Sequence, residues 1–136
     1  MIYLVDFKPD SISYETLDKI ISFCWEFHSL PDALNLDIEF DDGIELPQHG
    51  YGDIEDNVAV IGINPCISLD DMVKTIIHEI VHIKQIHNGE LVLGEGLQKS
   101  TWYGAVYDKN YHELPWEVEA YEIENEIMEK INVCEN

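Results

Sequence analysis

The sequence is short of positive charge. Seven lysine and arginine side chains stand against 28 aspartates and glutamates in 136 residues, a formal net charge of −21. Such a surface offers no favourable field to nucleic acid or to an anionic membrane, so neither is expected as a partner. A basic protein partner is compatible with it. Cysteine is scarce too. Cys24, Cys66 and Cys134 are odd in number, far apart and outside any C-x-x-C pair. That argues against a disulfide framework or a zinc knuckle, and for idle thiols in a reducing compartment. No apolar run is long enough to span a bilayer. The opening "MIYLVDFKPD" lacks the basic start of a signal peptide and reads as a first strand. These absences make the cytoplasm the expected location. No internal repeat and no low-complexity segment occurs.

What is present is a folding chain. Hydrophobic residues make up 46% of it, enough for a core. The length suits a single domain, 1–136. Residues 2–7, "IYLVDF", suit a buried strand. Residues 13–30 repeat Leu17, Ile20, Ile21, Cys24 and Phe27 at helical spacing, with Ser13 as N-cap and Pro31 after the end. "ALNLDIEF" alternates as a strand does and "DDG" turns it. "LPQHGYGDIEDN" reads as a polar loop, and "VAVIGIN" as a strand stopped by Pro65. The clearest helix is 68–87, capped by Ser68, with Asp70 and Asp71 at its positive end and Asn88-Gly89 closing it. Residues 89–108 read as a hairpin or an irregular loop. A last helix runs over 115–131 with Pro115 in its first turn. The expected class is α+β: a small mixed sheet, a central helix and a C-terminal helix.

The central helix carries His78-Glu79-x-x-His82. Imidazoles at i and i+4 project from one face, one turn apart. Both can then bind one Zn²⁺ at about 2.0–2.1 Å. The intervening glutamate is offset by roughly 100°, near enough to reach a water activated by the metal without displacing it. By composition a chance match is expected roughly 0.03 times in such a chain. Met72, Val73, Ile76, Ile77, Ile80 and Ile83 form one apolar face, and Thr75, His78, His82 and Gln85 the other. That second face is either merely solvated or holds a metal.

A catalytic zinc keeps three protein ligands and an open position. The extended pattern H-E-x-x-H-x-x-G-x-x-H is excluded, because Gln85 and Asn88 occupy its last two positions. A glutamate from the last helix is the alternative. Trp116, Ala120, Ile123, Ile127 and Ile131 form an apolar stripe there, with Glu117 and Glu124 at its margin. Glu119, Glu122, Glu126 and Glu129 fall on the side that reads as solvated. Glu117 is the preferred third ligand, Glu124 an outer-sphere alternative and Glu119 a weaker ligand candidate.

With "HEIVH" at 78–82 and "PWEVEA" at 115–120, the chain resembles zinc metallopeptidases of the gluzincin type, and small metallopeptidase-like proteins of bacteria and phages. The likeness covers Asp70 to Glu126. It implies a minimal zincin-like fold, Zn²⁺ on His78, His82 and Glu117, and Glu79 as general base for peptide hydrolysis. It departs from the pattern at Tyr121, where many gluzincins carry an aspartate that orients a zinc histidine. The orienting group is then expected from Glu124 or a backbone carbonyl. A second electrophile for the oxyanion is sought among Tyr103, Tyr107, Tyr111 and His112, with His112 preferred because it precedes the ligand helix. The strand "VAVIGIN" is a candidate edge for an extended peptide or protein substrate. The rival function is a non-catalytic acidic interaction or inhibitory protein on the same fold.

Overall fold

A computed structural model of the chain describes residues 1–95, 99–107 and 110–131. Cys134, and with it part of the reading of the thiols, lies outside the described residues. Among the described residues no helix is long and apolar enough to cross a membrane.

The class is mixed α+β: the described residues form three α-helices, a short 3-10 turn at Tyr111–Glu113 and two small sheets. Strand β1 (Tyr3–Asp6) leads into helix α1 (Tyr14–Phe27), which returns to β2 (Asn35–Phe40), parallel to β1. Then β3 (Gly50–Glu55) and β4 (Val58–Ile63) form an antiparallel hairpin, and β4 lies parallel to β2. The sheet order is β1-β2-β4-β3. Helix α2 (Leu69–His87) follows. Short strands β5 (Leu91–Val92), β6 (Thr101–Trp102) and β7 (Ala105–Val106) make a second antiparallel sheet, and α3 (Pro115–Lys130) completes the chain.

The first sheet is covered on one face. The register brings Val5, Ile38 and Ile61 into one row and Leu36 and Ala59 into another, and these side chains face the helices. Leu17, Ile20, Ile21 and Cys24 of α1 and Met72, Val73, Ile76, Ile77, Ile80 and Ile83 of α2 close the core from the other side. Burial raises the Cys24 thiol to about 12, which makes it inert at neutral pH. Cys66 is exposed.

The capping chemistry is as the sequence implies. The Ser13 hydroxyl accepts from Thr16 N at 3.1 Å and the Ser68 hydroxyl from Asp71 N at 3.1 Å. Helix α2 ends in a paired closure: Glu90 N donates to Gln85 O and Gly89 N to Ile86 O, with Gly89 at φ 74°.

Two strand readings are corrected. "IYLVDF" is not a buried strand; β1 is an edge, with Ile2 and Leu4 70% and 64% exposed. An apolar run fits a central or an edge strand equally, because only the neighbours decide. "LPQHGYGDIEDN" is not merely a loop, since its second half is β3. Asp56 and Asn57 both have positive φ, the two-residue hairpin turn that matches strand twist. The expectation for 89–108 fits better: β6 and β7 form a hairpin around Tyr103-Gly104, both at positive φ.

The glycines hid β3 in the sequence, and they are what the packing needs. A Cβ on Gly50 would lie 2.5 Å from Gly62 O and 2.7 Å from Thr75 Cγ2, and one on Gly52 3.1 Å from Glu79 O. The backbone of β3 therefore rests directly on α2 at the histidine motif. Gly50→Ala must push strand and helix apart. It is expected to cost about 1–3 kcal/mol as overpacking does, read as a lower midpoint in urea denaturation.

Candidate metal centre

The second face of α2 is not solvated. Thr75, His78, Glu79, His82 and Gln85 are all buried, covered by α3 and β3. The apolar stripe of α3 turns Trp116, Ala120 and Ile127 inward, and Glu117, next to Trp116, is carried in with them, 6% exposed. One carboxylate oxygen, Glu117 Oε1, lies 2.9 Å from His78 Nε2 and 3.1 Å from His82 Nε2. One ligand atom from each of the three residues falls within 4.8 Å of the others.

The outer nitrogen of each imidazole is also held. His78 Nδ1 meets Glu124 Oε1 at 3.0 Å, and His82 Nδ1 meets Gln85 Oε1 at 2.8 Å. With Nδ1 anchored, each ring turns Nε2 to a common point. Two imidazoles and a carboxylate oriented this way can hold a metal ion. The orienting group for His78 is Glu124, one of the two sources the sequence left open. Tyr121 takes no such role; its ring lies against His78, centroids 4.5 Å apart.

Each of these groups is shifted by burial and by its neighbours. Burial works to lower the His78 pKa, but hydrogen bonds from Glu117 and Glu124 outweigh it and raise it to about 9. His82 is raised against the same burial penalty, chiefly by Glu117. For Glu117, burial alone would raise the carboxyl, yet the two histidines bring it down to about 2. Burial holds Glu79 above the ordinary carboxylate range, only partly offset by His82 and His78.

The cluster opens to a cavity of about 790 Å³, whose walls include Gly50, Tyr51 and Gly52 of β3, Tyr111, His112 and Trp116. Of the four electrophile candidates, Tyr111 and His112 line this cavity. Tyr103 is 68% exposed and Tyr107 packs its ring edge-on to Trp116. His112 is exposed, its ring 6.3 Å from that of Tyr121. The Tyr111 hydroxyl is pushed up by burial, by the Glu117 charge, and by hydrogen bonds shared with Tyr121 and Glu117. Tyr111, like His112, is exposed, at 50%.

Glu119 is corrected. It is neither a ligand nor part of a solvated face: its Oε1 accepts from Gln85 Nε2 at 3.1 Å and from Lys84 Nζ at 3.2 Å. The edge reading of "VAVIGIN" is also overturned, because β4 lies between β2 and β3. Two contributions escaped the sequence. Gln85 sits three residues after His82, a spacing at which helix side chains meet, and that spacing was the available signal. The other is the wall made by β3.

Compared with protein-family models, with curated proteins and with solved structures, the chain matches none.

The raised histidine pKa values set a pH dependence for the metal-free protein. His78 rises from the ordinary 6.5 to about 9, so its pairing stabilises fully below pH 6.5 and is lost as pH climbs through 9. Glu117 falls from 4.5 to about 2, so its share is present above pH 4.5 and lost as pH drops through 2. Glu79, raised by burial, also costs stability as pH climbs above the ordinary carboxylate value, so in chelator the urea midpoint should be highest near pH 4.5 and fall from there toward pH 9.

Proposed function

We propose that this chain is a zinc-dependent metallopeptidase that hydrolyses peptide bonds with Glu79 as general base. The observation that carries the reading is the convergence of His78, His82 and Glu117 on one point with Glu79 buried beside them in the same cavity wall. Two histidines and a glutamate with an open side are a zinc donor set for hydrolysis, matching the sequence resemblance to gluzincins. When bound, the metal supplies a Lewis acid that activates a water and polarises a carbonyl.

The chain's own residues do the rest. Glu79, held above the usual carboxylate range by burial, takes a proton from the attacking water and delivers it to the leaving amine. Tyr111 and His112, both in the cavity wall, are the groups that can donate to the oxygen that gains charge. The free edge of β3, whose described partner is β4 alone, runs along the cavity through Gly50, Tyr51 and Gly52. An extended peptide can add to it by backbone hydrogen bonds, with its scissile bond over the metal.

Purified protein is expected to take up a single zinc per chain by elemental analysis and to cleave a peptide library. Glu79→Gln should keep the zinc and lose about 10²–10⁴-fold in rate. Tyr111→Phe should lose about 10²–10³-fold with KM little changed. Failure to retain zinc defeats the reading. Retained zinc with no cleavage of any peptide leaves the rival, an acidic binding module.

A further inference from the structure

His78 and His82 are held by different kinds of group. His78 Nδ1 meets a carboxylate, Glu124; His82 Nδ1 meets the neutral amide of Gln85. An amide presents an acceptor at one end and two donors at the other, so by itself it does not fix which histidine tautomer it faces. Its surroundings decide. Gln85 is fully buried. Its Nε2 lies 3.0 Å from Trp116 O and 3.1 Å from Glu119 Oε1. A carbonyl and a carboxylate can only accept. Both amide hydrogens are therefore committed, and a flipped amide would set its oxygen against two acceptors while leaving them unmatched. The oxygen must face His82, and Nδ1 must carry the hydrogen.

The chain of contacts continues outward. Lys84 Nζ pairs with Glu119 Oε1 at 3.2 Å and with Glu90 Oε1 at 2.8 Å. That triad pins the Glu119 carboxylate against Gln85. It also ties α3 to the residue that closes α2, because Glu90 N donates to Gln85 O at 2.9 Å.

We propose that Gln85 is a positioning residue that fixes His82 with its hydrogen on Nδ1 and its Nε2 lone pair toward the metal. Glu119, braced by Lys84 and Glu90, fixes Gln85. The inference rests on reading His78, His82 and Glu117 as a metal site; it does not depend on peptidase activity. Glu119, which belongs to the same helix as the ligand Glu117, thereby acts on the histidine from the opposite side. One helix then supplies a ligand and sets the tautomer of another.

The test uses the full chain loaded with Zn²⁺, labelled at histidine with ¹⁵N. Long-range ¹H–¹⁵N spectra should show His82 metallated at Nε2, with a slowly exchanging hydrogen on Nδ1. Gln85→Met should lose the slow exchange and weaken Zn²⁺ binding about 10- to 100-fold. Glu119→Gln should weaken binding less, in the same direction. Because both act through one chain of contacts, the double variant should bind no more weakly than Gln85→Met. Additive losses would overturn the proposal, and so would Glu119→Gln with unchanged affinity. If Gln85→Met does not fold, the wild-type spectrum decides: coordination through Nδ1 overturns the inference while sparing the metal site. No uptake of Zn²⁺ defeats the metal-site reading and this inference together. Zn²⁺ held as described by a protein that cleaves no peptide defeats only the peptidase.

Discussion

One carboxylate oxygen between two imidazole nitrogens joins the halves of this molecule. Glu117 Oε1 is 2.9 and 3.1 Å from the two Nε2 atoms, and it brings α3 onto a face of α2 that would otherwise be a buried polar stripe. Burying such groups unpaired would be costly. Thr75, His78, His82 and Gln85 are each hydrogen-bonded, and the acids Glu79, Glu117 and Glu124 outnumber the two imidazoles, which suits a cation at the centre. The apolar stripe of α3 supplies the association and the polar contacts supply the register. Shifting α3 by one residue would bring Val118 to the histidines and turn Glu117 away.

The other wall depends on something missing. Without side chains at Gly50 and Gly52, an edge strand lies on the helix at Glu79. Glu79 then sits in low dielectric, which keeps its carboxyl pKa high. The same closeness puts the unpaired backbone of the edge strand beside the cavity. One packing constraint thus sets both the burial of Glu79 and the open strand edge that the proposed function assigns to a peptide.

Much of the site was legible in the sequence because helices have a fixed period. His78, Glu79 and His82 were readable from their spacing, and Glu117 from its place beside Trp116 on the stripe. Glu119 was misread by the same method: its side of α3 faces Lys84 and Gln85, and a helical wheel does not show where a neighbouring helix ends. Strands were harder. β1 has the composition of a centre strand yet lies at an edge, and β4 has nothing in its composition to tell that it is enclosed. Sheet order is a tertiary fact that strand composition does not carry. β3 was lost because glycines demanded by packing look like loop residues. Tyr111 and His112 both line the cavity, placed there by the turn before α3, a local geometry with no sequence signature.

The start of α3 has a further meaning. Leu114, its N-cap residue, makes no side-chain capping hydrogen bond, so the turn that carries Glu117 is held by its neighbours and not by its own end. The two histidines lie instead in the middle of the most buried helix, where they move only if the core does. The histidine pair is thus placed by the core, and Glu117 by the contacts of one helix end: the cluster joins two sources of order, one from the interior and one from a seam.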